Sequence, residues 1–311
     1  MEKIDKFYEV KNLFQCPRCG KKIRFHDGGL VCKKEHRFDI SAKGYVNLLQ
    51  ENKSLKGYDK DFFASRFRFL QAGYYSHIME EVVATVECLE KERGVRAREM
   101  AAGAAQAKTR IVKGQTQGAE TAQESPFVVL DAGCGEGYYA SEISKRFDDR
   151  VQVVAFDIST DAVKQAAKST QPVKWLVADI TNIPMKEQSV DCILDVFTPA
   201  NYKEFVRILK PGGALVKVVP GPAHMGQLRE AAAPLLRNKS YTNEEVLDYF
   251  EKNFELVSRT PVSRTLPIDP AHLSDLGRMT PLLFDVDKSK LDLSDVKEIT
   301  VEAEVLVGKA R

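Results

Sequence analysis

From residue 127 onward, apolar runs and mixed amphipathic stretches take turns along the chain. Phe127–Leu130 is apolar, has no helical spacing, and stops at Asp131 and three closely spaced glycines. That pattern predicts a buried parallel strand entering a tight turn. A helix is expected from about Tyr138 to Arg146, then a strand at Val151–Phe156 ending in Asp157. A helix over Asp161–Lys168 follows, with Ser159 as its candidate cap. Further strands are predicted at Val173–Val177, Val190–Val196 and Ala214–Val219. Between the last two, a helix over Asn201–Leu209 is stopped by Lys210-Pro-Gly-Gly213. Helical stretches near 224–237 and 242–253 precede two last strands, Phe254–Arg259 and Ile299–Val307. Such alternation predicts an α/β domain, a seven-stranded Rossmann-like sheet whose ligands sit at the carboxyl ends of the strands.

Upstream the pattern changes. Residues 61–90 read as two helices broken at Gly73, with an apolar stripe through Phe62, Phe63, Phe67, Leu70, Ile78, Val82, Val83 and Val86. Arg66 and Arg68 lie among these apolar positions, placed to face a cleft. Residues 91–125 hold few large apolar side chains and much Ala, Gln, Gly and Thr, which predicts a flexible insertion with at most a frayed helix before Gly103. The chain thus divides into a small module at 1–50, a helical connector at 51–90, the insertion at 91–125 and the α/β domain at 126–311.

Charge separates these parts further. The net charge of +2 over 311 residues hides an asymmetry: residues 1–70 carry 16 Lys/Arg against 9 Asp/Glu, the rest 30 against 35. A basic front on a mildly acidic body points to a polyanionic partner for the front. No apolar run approaches the ~20 residues of a membrane span. The Met-Glu-Lys-Ile-Asp-Lys start has no secretory apolar core, so a cytoplasmic protein with no membrane partner is expected.

The six cysteines give the front module its chemistry. Cys16, Cys19, Cys32 and His36 follow the pattern Cys-x2-Cys-x12-Cys-x3-His. Two tight knuckles joined by a short hairpin supply the four sulfur and nitrogen ligands that tetrahedral zinc prefers. A filled shell leaves no open position, so the Zn2+ is expected to be structural and to stabilise a segment with little core of its own. His26 is the rival nitrogen ligand, placed at the predicted hairpin tip. Seven Lys/Arg against two acids lie within Cys16–Arg37, with Phe25, His26 and Phe38 interleaved. Basic residues beside planar ones suit RNA phosphates and unstacked bases.

The turn after the first α/β strand carries the second chemistry. Gly133, Gly135 and Gly137 alternate, whereas the dinucleotide fingerprint places its third glycine three residues after the second. Asp131-x-Gly-x-Gly-x-Gly137 is similar to motif I of the class I S-adenosylmethionine (SAM) methyltransferases. An ammonium and a sulfonium suit a site edged by carboxylates. Asp157 is placed to accept from two ribose hydroxyls, Asp179 from the adenine amino group, and Asp131 to face the methionine ammonium. Gly133, Gly135, Glu136, Gly137 and Tyr138 complete the expected cofactor-binding set. On the acceptor side, Thr198-Pro-Ala-Asn201 departs from the Asn/Asp-Pro-Pro-aromatic of enzymes acting on exocyclic base amines, and Phe197 is placed to stack on a base. Asp195, Asn201 and His224 are the candidate catalytic residues.

Cys-Pro-x-Cys19, Cys32-x3-His-x-Phe-Asp39, Lys43-Gly-Tyr-Val-Asn-Leu-Leu49, Asp131-Ala-Gly-Cys-Gly-Glu-Gly-Tyr-Tyr139, Pro220-Gly-Pro-x-His224 and Met279-Thr-Pro281 together resemble the bacterial 23S rRNA guanine-N1 methyltransferases. The resemblance runs from about 14 to 311 and is interrupted at 91–125. It implies that the zinc module reads an rRNA hairpin, that the C-terminal domain binds SAM, and that the protein is a homodimer. It also implies kinship with a Gram-positive branch tied to macrolide resistance. Asp195 stands where another branch has a basic residue, which leaves open which guanine is modified. The competing expectation is a methyltransferase of a small molecule or protein whose zinc module serves dimerisation.

Overall fold

The structure, a computed structural model, describes residues 3–8, 13–50, 57–109, 125–236 and 242–310, with side chains of 100–109 excepted. The front module is a three-stranded antiparallel sheet of β1 (Ile23–His26), β2 (Gly29–Cys32) and β3 (Arg37–Asp39). Asp27 and Gly28 take positive φ in the β1–β2 turn, as a two-residue hairpin requires. Phe14, Ile23, Leu30 and Phe38 fill its core, which is continuous with one face of the main sheet.

That main sheet has eight strands in the order β10-β11-β9-β8-β5-β6-β7-β4. β4 is Tyr45–Asn47, a short strand that adds parallel to β7 (Lys174–Val177) at the sheet edge. It ties the front module to the body, helped by Gln15 N–H donating to the Pro184 carbonyl at 3.0 Å and by the Asn182 amide donating to Pro17 at 3.1 Å. The parallel centre consists of β5 (Phe127–Ala132), β6 (Val151–Asp157), β7 and β8 (Val190–Val196), with β9 (Leu209–Pro220) beside β8. β5 and β8 are buried along their whole length, which explains their unbroken apolar runs. The antiparallel β10 (Phe254–Pro267) and β11 (Glu298–Ala310) finish the sheet. β10 is longer than its predicted Phe254–Arg259, because it is an edge strand with a largely exposed face; polar residues and Pro261 are tolerated there.

Two helices precede the sheet in sequence. α1 (Lys60–Gln71) starts at Asp59, whose carboxylate accepts from Phe62 N–H, and ends before Gly73 at φ +88°. α2 (Ser76–Thr109) runs on through Gly94 and Gly103 as one helix, well past the frayed segment expected from the sequence. Residues 90–96 are docked on the body: Arg93 donates to the Ser125 carbonyl at 2.7 Å, and Arg150 pairs with Glu90 at 3.0 Å. Residues 110–124, the rest of the predicted insertion, lie outside the described residues. The remaining helices are α3 (Tyr138–Phe147), α4 (Thr160–Ala166), α5 (Tyr202–Ile208), α6 (Gly226–Ala232), α7 (Glu244–Asn253) and α8 (Pro270–Met279). α1 packs on α8, where Arg68 and Asp275 form a bidentate pair, and together they roof the carboxyl ends of the central strands. Among the described residues no helix is long and apolar enough to cross a membrane.

Candidate functional site

Under that roof lies a cavity of about 540 Å³, within the roughly 300–1,000 Å³ range of small-molecule sites. Its floor is the glycine turn. Gly133 has φ +75°, and a Cβ there would fall 2.5 Å from Thr198 Oγ1. The turn is thus closed against the loop that follows β8. Gly137 has φ +82° and starts α3; a Cβ there would meet the Trp175 ring at 2.5 Å. Glycine is required at both positions by conformation and by space together.

At one end the wall comes from β5, β6 and β7. Asp157 faces the cavity, accepting from Gly135 N–H at 2.9 Å and Ser159 N–H at 2.8 Å. It is the one carboxylate on the wall among the described residues, with apolar Ile158, Ala178 and Ile180 beside it. Asp179 folds onto its own loop, accepting from Thr181 N–H and Oγ1 at 2.8 Å each. Asp131 sits below the turn, 2 % exposed, and accepts from Ala140 N–H at 3.2 Å. Burial is the main cause that pushes its carboxyl up to about 7, and Asp157 and Glu136 add repulsion. Glu136 is also buried and raised, and both its oxygens lack a hydrogen-bond partner. Arg66 of α1 comes within 3.6 Å of it. Tyr138 lies half-buried on α3, edge-on to Tyr139 with centroids 5.2 Å apart.

The other end is built from the ends of β8 and β9. Phe197 takes φ +54°, a strained setting for an aromatic residue, and its N–H is held by the Val218 carbonyl at 3.0 Å. Its ring stacks on His224, with centroids 5.7 Å apart at 29°. His224 lines the cavity, while burial holds its imidazole down to about 4. The other two candidate catalytic residues lie off the wall. Asp195 is fully buried against Lys217 at 2.7 Å. Asn201 caps α5, its side-chain oxygen accepting from Glu204 N–H at 3.2 Å.

The sequence reading did not single out Tyr75, Met225 or Arg229 as cavity residues, and left Arg66 without a partner. A usable signal was present in α1. Arg66 shares one helical face with Phe62, Phe63 and Leu70, and a cation on an otherwise apolar face marks either a buried ion pair or a cavity.

The cavity fits SAM on its own evidence. Two cradle glycines, a carboxylate at the end of the second central strand, and buried Glu136 oxygens that accept no hydrogen bond match a cationic nucleoside better than an anionic dinucleotide. In the front module, Cys16, Cys19, Cys32 and His36 place their ligand atoms within 4.8 Å of one another. Cys16 Sγ is 3.3 Å from His36 Nδ1, and Cys19 Sγ is 3.7 Å from Cys32 Sγ. A zinc tetrahedron with Zn–S bonds of ~2.3 Å has edges of about 3.8 Å, so the set is of the right size. His26 is exposed at the end of β1 and outside the cluster.

Residues 129–213 match a family model described as a methyltransferase domain, and residues 14–54 match one described as the N-terminal region of RlmA, a zinc ribbon. A Streptomyces fradiae protein named 23S rRNA (guanine(748)-N(1))-methyltransferase is 28% identical over 298 residues, covering 94% of this chain and 95% of its own. A Bacillus subtilis protein, YxjB, provisionally named 23S rRNA (guanine-N(1)-)-methyltransferase, is 27% identical, covering 96% of this chain and 97% of its own. The malonyl-[acyl-carrier protein] O-methyltransferase of Yersinia pestis is 30% identical, but over only 35% of this chain and 42% of its own.

Fold, glycine turn and metal cluster together make this chain a class I SAM-dependent methyltransferase with an N-terminal structural zinc site. The ribbon model and the relatives matched over nearly their whole length make it similar, more narrowly, to the RlmA-type methyltransferases.

Proposed function

We propose that this enzyme methylates N1 of a guanine in a hairpin of 23S rRNA. The observation that carries the reading is the joining of an RlmA-type ribbon to the methyltransferase domain along nearly the whole length of relatives named for that reaction. The ribbon's exposed cations, among them Arg24, Lys33 and Lys34, suit a polyanion. An RNA held by the ribbon would have to lend one unstacked base to the cavity, since a methyl donor bound there cannot reach a base inside its stack. The same resemblance supports a cytoplasmic homodimer.

Bound SAM supplies a methyl carbon already activated by its sulfonium. The residues that would hold it are those of the β5–β7 end. Asp157 accepts from the ribose hydroxyls and Ile158 and Ala178 line the adenine side, while the Asp179 carboxylate, turned onto Thr181, would have to reach the adenine amino group from the next position. Asp131 and Glu136 supply negative charge for the ammonium, and Arg66 a cation for the carboxylate. Gly133, Gly135 and Gly137 let the backbone approach, and Tyr138 opens the helix behind them. The Phe197 loop orients the acceptor, and α1 and Met279–Leu282 roof the reacting groups.

Of the three candidates, only His224 lines the acceptor end, and its Nδ1 already accepts from the Glu302 N–H. Asp195 is sealed behind the wall and Asn201 is engaged as a cap. We assign the N1 proton to solvent water. Transfer of labelled methyl from SAM to unmodified 23S rRNA, followed by mapping of the modified position, tests the proposal. A mapped guanine N1 is expected; failure to label rRNA with zinc and SAM both bound overturns it.

A further inference from the structure

The acceptor end of the cavity carries an ordered hydrogen-bond chain that ends in one free donor. The Glu302 backbone N–H donates to His224 Nδ1 at 3.2 Å. A backbone amide cannot accept, so Nδ1 holds the lone pair and the neutral ring carries its hydrogen on Nε2. Nε2 lies 3.4 Å from Tyr75 Oη. The phenol oxygen is therefore the acceptor in that contact, and its own hydrogen is left for another partner. Among the described residues none offers an acceptor to it. Both side chains are more than nine-tenths buried, and both line the cavity.

Packing fixes this pair in place. The Phe197 ring stacks on His224 and meets Tyr75 edge-on, with centroids 5.8 Å apart. Phe69 adds a second edge contact to Tyr75 at 6.1 Å. These ring contacts hold both side chains, so the one free hydrogen, that of the Tyr75 phenol, is presented in a fixed direction.

We propose that Tyr75, positioned by His224, recognises a carbonyl oxygen of the acceptor base, O6 of guanine. The inference rests on the reading of the acceptor as a guanine modified at N1. Guanine presents an acceptor oxygen beside N1, whereas adenine presents an amino donor there. Against the Tyr75 hydroxyl hydrogen, adenine sets hydrogen against hydrogen, and a buried polar group left unpaired is costly. The pair thus selects the keto purine. When N1 gives up its proton to water, negative charge spreads onto O6, beside the Tyr75 hydrogen. His224 takes no proton in this scheme, because its only lone pair already accepts from Glu302.

The test compares kcat/KM for rRNA hairpins with guanosine or 6-thioguanosine at the modified position, since sulfur is a weaker acceptor than oxygen. The wild type should lose roughly tenfold on the sulfur hairpin. Tyr75→Phe should lose roughly 10- to 100-fold on guanosine and show no further sulfur penalty. His224→Asn keeps an acceptor for the Glu302 amide but cannot reach Tyr75, and should lose part of the discrimination. Zinc content and SAM affinity should be unchanged in both variants. The proposal is overturned if the wild type is indifferent to sulfur, or if Tyr75→Phe keeps the full penalty. A wild type that labels no rRNA at all overturns the guanine reading instead.

Discussion

Lys217 donates to the Asp195 carboxylate at 2.7 Å, directly across the β8–β9 register, with Lys217 4 % and Asp195 0 % exposed. Lys217 also reaches the Thr198 carbonyl at 3.3 Å, so it fastens the loop that holds Phe197 in its strained backbone. Removing one member of such a pair leaves a buried charge alone, at a cost of about 3–5 kcal/mol. Lys217→Met should lose that much in urea denaturation, and Asp195→Leu with Lys217→Met should recover most of it. A double variant as unstable as the single one would contradict this account.

The same pair has a pH signature. Burial pushes Asp195 up to about 6, with Lys217 pulling the other way. Its folded pKa therefore lies above the unfolded value of about 3.9. The folded state binds this proton more tightly, so its contribution is full below about pH 4 and is lost as pH rises through 6. The difference between about 6 and about 3.9 corresponds to about 3 kcal/mol. Asp195→Asn should flatten this part of the stability profile between pH 4 and 7 relative to wild type, as read by denaturation midpoints.

SAM affinity should also depend on pH. Asp131 lies at about 7, and Glu136 and Asp157 are raised as well, chiefly by burial. A ligand carrying an ammonium favours the ionised carboxylates, so binding releases protons. Calorimetry in two buffers should show affinity rising with pH from 5.5 to 7.5, by up to about tenfold per unit. Asp131→Asn should reduce the slope. A wild-type affinity constant across this range would contradict the assignment.

What the sequence made legible follows from how its signals arise. β5 and β8 are buried on both faces, so their apolar runs identify them without knowledge of the fold. The glycine turn and the metal ligands are local in sequence, and their spacing carries their geometry. β4 was not legible, because three residues with one buried side chain, Val46, give no periodicity; the strand exists through its pairing with β7. α2 outlasted its predicted end because alanine favours helix even where large apolar residues are scarce. Tyr75 stands in the turn before α2, outside the apolar stripe, so nothing in its spacing marked it. Its role depends on His224 and Glu302, brought to it by strands far along the chain.

Gly137 tests the turn itself. A methyl group there meets Trp175 at 2.5 Å and Ala166 at 2.9 Å, on a backbone at φ +82°. The left-handed setting costs about 1–2 kcal/mol for a non-glycine residue, and overpacking adds about 1–3 kcal/mol. Gly137→Ala should therefore lose about 2–5 kcal/mol. Adding Trp175→Leu should return only the overpacking share, since the backbone strain remains. Full recovery in the double variant would show that conformation does not matter here.

Zinc separates the two halves of the function. The ribbon's own core is small, and Phe14, Ile23 and Leu30 continue into the body through Met185 and Ile183. β4 is held by the main sheet and carries no metal ligand. Loss of zinc should therefore unfold the hairpins of β1–β3 while leaving the SAM cavity intact, because its walls come from other elements. Cys32→Ser should lose zinc and rRNA binding but keep SAM affinity within about twofold of wild type. Asp157→Ala should do the reverse, losing SAM affinity while retaining zinc and RNA. Metal content, filter binding of an rRNA hairpin and calorimetric SAM titration on both variants check the pair. If Cys32→Ser abolishes SAM binding as well, the ribbon is structural support for the cavity rather than a separable RNA reader.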